Sequence, residues 1–143
     1  MSHTITTHWK ENLLFESDNP SGHTVFMDTS VENGGTNKGL SPKAMMLSSL
    51  AGCSGLDVMM ILKKSRTEVK NFKMVVSGEL TEEHPKYYHK VHVAYHFYGE
   101  NLHKEKIQKA VDLSVGKYCG VMEMFRKFAE IKVEIVYHPY KRE

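Results

Sequence analysis

Two periodicities divide the chain. Between Tyr88 and Tyr98, Val91, Val93, Tyr95 and Phe97 alternate with Lys90, His92, Ala94 and His96, a period of two that predicts a strand with one buried face. Asn71–Leu80 has the same character, and the polar run 81–85 between the two predicts an antiparallel hairpin. Residues 131–137 alternate again and predict a closing strand. The first 27 residues read as short extended segments, 4–9, 12–15 and 23–27, the last two separated by the turn cluster Asp18-Asn19-Pro20-Ser21-Gly22.

The helical period takes over elsewhere. A glycine-bearing loop over residues 31–40 ends at Ser41-Pro42, which reads as an N-cap followed by proline at the first helical position. The helix predicted from there runs to about Lys64, roughly 35 Å at 1.5 Å per residue. Asn101 is expected to cap a second helix carrying Ile107, Ala110 and Val111. A third is expected around Cys119–Ala129, with Met122, Phe125 and Phe128 at helical spacing. Strands at both ends with helices between them predict one α+β domain over 1–143.

The long helix changes the picture most. Residues 44–62 are apolar enough to raise a membrane span. Asp57 near the middle, with Ser48, Ser49 and Ser54, favours a helix buried inside protein instead. Its apolar residues cover almost the whole circumference and need neighbours on every side. One short chain has little left to wrap it, so the pattern predicts burial at the interface of a two-fold homodimer.

The 143 residues suit one core, and 19 Lys and Arg against 17 Asp and Glu leave a net charge of +2. That balance has no electrostatic footprint for nucleic acid or for an anionic membrane. The N-terminus shows no basic region followed by an apolar stretch, so a cytoplasmic, reducing location is expected. There the two cysteines read as catalytic, redox-sensing or buried residues, not as a permanent staple.

Cys53 lies mid-helix on the stripe Met46, Ser49, Leu50, Cys53, Leu56, Asp57, Met60, where a buried cysteine acting as a small hydrophobe is the plain alternative. Asp57, at i+4 from Cys53, would oppose its ionisation. Cys119 starts a predicted helix beside Lys117, a placement that lowers thiol pKa. Nothing in the spacing proves that the two sulfurs meet. His92 and His96 share a strand face roughly 13 Å apart at 3.3 Å per residue, too far to chelate one ion. His89 is on the other face, and no metal site or cofactor is expected.

The string from Gly39 to Cys53, GLSPKAMMLSSLAGC, resembles the G-x-S-P…A-x-A-G-C helix of the OsmC/Ohr family. The string from Ala110 to Cys119, AVDLSVGKYC, resembles its second-cysteine motif. The continuation Ser54-Gly55-Leu56-Asp57-Val58 and the KYC form are most like its YhfA-like branch, and the likeness covers nearly the whole chain. The resemblance implies an intertwined α+β homodimer with antiparallel sheets around a long buried central helix. It also implies a thiol-dependent reduction of organic hydroperoxides in oxidative-stress defence. Cys53 would attack the peroxide, Cys119 would resolve the sulfenic acid, and an external dithiol would reopen the disulfide.

Peroxidases of that family use an N-terminal arginine held by a glutamate just after the S-P turn. Here no arginine precedes Arg66, Lys10 and Lys38 are the nearest cations, and Lys43 or Ala44 stands at the glutamate's place. Lysine offers a point charge without arginine's planar fork. Met46 and Met60, with Asp57, are candidate pocket or supporting residues for a small hydrophobic hydroperoxide or ligand. The alternative reading is a non-catalytic protein that keeps the fold and binds a small molecule. A general disulfide oxidoreductase is disfavoured by the lack of C-x-x-C.

Overall fold

The computed structural model describes residues 1–140. They form two compact units, Met1–Met46 and a second beginning at Leu47.

The first unit is a three-stranded antiparallel sheet of β1 (Thr7–Glu11), β2 (Leu14–Asp18) and β3 (Thr24–Met27), in that order. A bulge between Trp9 and Glu11 shifts the β1–β2 register. The loop after β3 is organised by Asp28, which is buried. Its carboxylate accepts from the Thr29 N–H at 2.7 Å, the Thr36 hydroxyl at 2.8 Å, the Lys38 N–H at 3.1 Å and the Thr36 N–H at 3.3 Å. Those donors, the Lys38 and Thr29 amides foremost, hold the Asp28 carboxyl below the usual range. Gly35 is required there because a Cβ would lie 2.3 Å from the Thr29 carbonyl oxygen. The sequence pattern read this stretch as a glycine loop and did not single out the carboxylate at its centre.

Helix α1 (Pro42–Lys64) starts and ends where the pattern places it, with Lys63 and Lys64 in its last turn. Its burial differs from the expectation. One stripe at i+4 spacing, Leu50, Ser54, Val58 and Leu62, is buried. Leu56 and Met60, assigned by sequence to the Cys53 stripe, are 68% and 64% exposed, so a single chain covers only one side of the helix. Alone among the described helices it has the length and apolar composition to cross a membrane.

In the second unit β4 (Asn71–Leu80) pairs antiparallel with β5 (Tyr88–Tyr98), the expected hairpin. Strand β6 (Glu130–His138) joins the other side of β5 in parallel, so this sheet is mixed, where antiparallel sheets were expected. A parallel neighbour needs a crossover, and α2 (Lys104–Leu113), a π-helical turn over Ser114–Tyr118 and α3 (Gly120–Arg126) supply it. The cap of α2 is His103, whose ring accepts from the Lys106 N–H; Asn101, the expected cap, lies two residues earlier with φ 54°.

The core lies between α1, the sheet and the crossover helices. Tyr95, Phe97, Phe125, Ile107 and Met122 are fully buried. Phe97 stacks on Phe72 at 4.7 Å between ring centroids. Gly55 lets α1 approach the sheet, since a Cβ there would already touch the Met74 sulfur at 3.2 Å.

On the sheet, His96 Nδ1 and His138 Nε2 are 2.8 Å apart, with the rings 19° from parallel. One ring must donate to the other's lone pair, so the contact needs at least one neutral imidazole. Partial burial holds the His96 pKa below the usual histidine value; His138 and Lys73 add to that and Glu134 opposes it. The unfolded chain therefore takes up this proton first. Stability from the pair is present above about pH 6.5 and is lost as pH falls through the depressed folded value. Urea midpoints of wild type and His96→Gln are expected to converge between pH 7.5 and pH 5. A gap that stays constant with pH would exclude this pair as the source.

Candidate functional site

The site is built where α1 meets the crossover. Cys53 and Asp57 are one helical turn apart, and the π-helical turn over Ser114–Tyr118 delivers Cys119 to them. The two cysteines, 66 positions apart in the chain, meet in the core, where half-buried Cys53 packs against the buried cluster that holds Cys119, and both are free thiols. Cys53 is half-buried, whereas Cys119 is 4% exposed.

Cys119 is the N-cap of α3: its sulfur accepts from the Met122 N–H at 3.3 Å, and its own N–H donates to the Ser114 carbonyl at 2.9 Å. Position at a helix N-terminus beside Lys117 led to the expectation of a lowered pKa. The structure reverses that. Burial pushes the Cys119 thiol up to about 11, the Cys53 sulfur and the Asp57 charge add to it, and the Met122 amide offsets only part. The Lys117 ammonium lies over the Tyr118 ring, 5.2 Å from its centroid.

Asp57 is held by this unit. Its Oδ2 accepts from the Ser114 hydroxyl at 3.0 Å. The Ser114 Oγ lies 2.7 Å from the Ser54 Oγ, which lies 2.6 Å from the Tyr95 hydroxyl. Ser54, Ser114 and Tyr95 are fully buried, and desolvation raises the Tyr95 pKa. Sequence reasoning used Ser54 as a polar mark against a membrane helix and as part of the string that follows Cys53, and did not find this chain. The available signal was Ser54 as the polar member of the i+4 stripe Leu50, Val58, Leu62. Its partners are 60 and 41 positions away, and no local pattern points to them.

Beside Asp57 opens a cleft of about 340 Å³ lined by Asp57, Met60, Ile61, Lys64, Leu113 and Tyr118. Met60 is thus a cleft residue. Met46 is 45% exposed and belongs to the first unit, as do Lys10 and Lys38. Each lysine has a carboxylate partner in that unit, Lys10 with Glu16 at 3.8 Å and Lys38 with Glu11 at 3.9 Å. The structure therefore gathers Cys53, Cys119, Asp57 and Met60 in the second unit. Among the described residues, no group of three or more His, Cys, Asp or Glu side chains is placed to hold a metal ion.

Residues 35–134 match the family model described as OsmC-like protein. The chain is 38% identical over 125 residues to Protein YhfA of Escherichia coli K12, covering 86% of this chain and 89% of that one. A hypothetical protein from Aquifex aeolicus VF5 superposes with TM-score 0.84 and 30% identity over 99% of both chains. The organic hydroperoxide resistance protein OsmC of Legionella pneumophila, described as a predicted redox protein, superposes with TM-score 0.69 at 14% identity. That superposition covers 95% of this chain and 97% of the other, and at such identity it speaks for the fold alone.

Proposed function

The chain belongs to the OsmC-like protein family, and on that premise we propose that it is a thiol-dependent peroxidase of organic hydroperoxides acting in oxidative-stress defence. The observation that carries this reading is the pair of free thiols packed in one core cluster, one half-exposed and one buried. Solved relatives named for organic hydroperoxide resistance share the fold, among them OhrB of Bacillus subtilis, with TM-score 0.65.

The Cys53 thiolate attacks the terminal oxygen of R–OOH, and the O–O bond breaks. Cys53 becomes S–OH, and RO⁻ takes a proton and leaves as the alcohol. The Cys119 sulfur then attacks the Cys53 sulfur, and the hydroxyl departs as water with the Cys119 proton. An external dithiol reduces the resulting disulfide by exchange. The mostly apolar cleft beside Asp57 suits a greasy substrate. Lys10 and Lys38 remain the proposed thiolate-stabilising cations, and they would act as point charges.

The protein is also read as a homodimer. Leu56, Met59 and Met60 on α1 and Trp9 and Phe26 on the N-terminal sheet are 40% exposed or more, and a second copy would cover them. The second functional reading, ligand binding without chemistry, is favoured by the buried Cys119 thiol with its raised pKa.

Thiol titration with light scattering tests the proposal. Cumene hydroperoxide is expected to consume two thiols per chain within seconds, in a particle of twice the 16.4 kDa chain mass. Slow loss of both thiols at the rate of free cysteine would overturn the enzyme in favour of the binding reading. A particle of single-chain mass would overturn the dimer.

A further inference from the structure

The buried hydroxyl chain has one direction. A carboxylate accepts and cannot donate, so Ser114 gives its only hydroxyl proton to Asp57 at 3.0 Å, in preference to the Ser54 carbonyl at 3.4 Å. Ser114 then accepts from Ser54 at 2.7 Å, and Ser54 from Tyr95 at 2.6 Å. Three aligned O–H dipoles end on Oδ2 and hold the Asp57 side chain in one orientation. Among the described residues no other hydrogen bond or ion pair engages Asp57. A carboxylate has about four acceptor positions, so most of its capacity is left over. Asp57 is half-buried and forms one side of the 340 Å³ cleft, where Met60, Ile61, Leu113 and Tyr118 supply apolar surface. Lys64 is the cleft's cation, but it lies seven positions along α1, about 10 Å at 1.5 Å per residue, and does not pair with Asp57.

We propose that Asp57 is the specificity-determining residue of this cleft: its carboxylate accepts the O–H of a small apolar hydroperoxide whose organic group lies on Met60, Ile61, Leu113 and Tyr118. An acceptor-only group beside an apolar wall selects ligands that donate. R–OOH donates; a dialkyl peroxide does not, and would cover the carboxylate without giving it a partner. Asp57 stands one helical turn from Cys53, which puts their Cβ atoms about 5–6 Å apart. A hydroperoxide O–H held there keeps its terminal oxygen beside the turn that carries the attacking sulfur. The identity of the ligand as a hydroperoxide rests on the peroxidase reading and deepens it; the demand for a donor does not depend on it. When the Cys53 thiolate attacks, the S–O bond forms and the O–O bond breaks. Sulfur is oxidised, the peroxide oxygens are reduced, and the alkoxide takes a proton from water. The recognised hydrogen stays on the transferred oxygen, so the same carboxylate then accepts from the sulfenic acid.

Unreactive probes read this recognition without the chemistry. Cumyl alcohol carries the O–H donor, and cumyl methyl ether is the same body without it. Amide shifts in ¹⁵N NMR titrations of the reduced protein give both dissociation constants. The alcohol is expected to bind about tenfold tighter, with shifts centred on residues 57–64 and 113–118. Asp57→Asn, a near-isostere, is expected to erase that preference. Its amide oxygen takes the Ser114 proton and its NH₂ turns to the cleft, where alcohol and ether both accept from it. Leu113→Ala is expected to weaken both probes alike and keep their ratio. A merely structural Asp57 would shift the melting temperature of Asp57→Asn and leave the ratio alone. Equal constants in the wild type, binding of neither probe, or a ratio that survives Asp57→Asn would overturn the proposal. The wild-type comparison decides it even where the variant does not fold. If the alcohol is preferred while cumene hydroperoxide consumes no thiol, the peroxidase reading fails and the donor site stands. Rapid thiol consumption with equal probe affinities sinks the donor site and leaves the peroxidase.

Discussion

Cys53→Ser is expected to abolish the fast reaction with hydroperoxide, lowering the rate of peroxide consumption by about a thousandfold or more. A serine hydroxyl at neutral pH has neither the ionised fraction nor the polarisable lone pairs that let a thiolate displace alkoxide from oxygen. Cys119→Ser is expected to behave differently. Cys53 keeps its thiol, so the first oxidation survives. No disulfide can close, and the product stops at a sulfenic acid that dimedone traps at one equivalent per chain. Stopped-flow consumption of cumene hydroperoxide, with mass spectrometry of the trapped protein, separates the two variants. If Cys53→Ser and wild type react at one slow rate, the thiol pair has no peroxidase role. If Cys119→Ser is as inert as Cys53→Ser, the roles of the two sulfurs are wrongly assigned.

Phe97→Ala is expected to be the most damaging single truncation, at about 4 kcal/mol. Phe97 is fully buried, stacks on Phe72 at 4.7 Å and reaches Tyr137 on β6 at 6.5 Å. Its ring therefore touches both neighbours of the central strand, and the cavity left behind cannot be closed from one side. Domains of this kind have about 5–15 kcal/mol in total, so the loss removes a large share. Val75→Ala on the same sheet, where the side chain is 48% exposed, is expected to stay within about 0.5 kcal/mol. Urea denaturation reads both as shifts in midpoint at constant slope. A Phe97→Ala cost below about 1 kcal/mol would mean that the two strand contacts do not hold the sheet to the core.

The elements of this protein were legible because their causes are local. Period-two alternation in β5 and β6, and Ser41-Pro42 ahead of an apolar run, act through neighbours a few positions away. The two cysteine strings were legible for the same reason, each a contiguous segment. What the periodicity of α1 left open was which of its apolar sides a single chain buries. Leu50, Ser54, Val58 and Leu62 were selected by the sheet and crossover helices packed against them. Helix propensity is indifferent to that choice.

The chemistry divides along the same line. Sequence alone determined that two thiols and a carboxylate one turn from the first are present, and that no N-terminal arginine is available. Tertiary structure alone decided that β6 lies parallel beside β5, that the intervening crossover carries Cys119 back to Cys53, and that Ser54, Ser114 and Tyr95 join Asp57 in one line of hydroxyls. It also decided the character of the second thiol. A helix N-terminus and a neighbouring lysine favour the thiolate, but burial disfavours any charge, and burial prevailed. The extent of desolvation is set by residues distant in the chain, so a local reading of the sequence contains no measure of it.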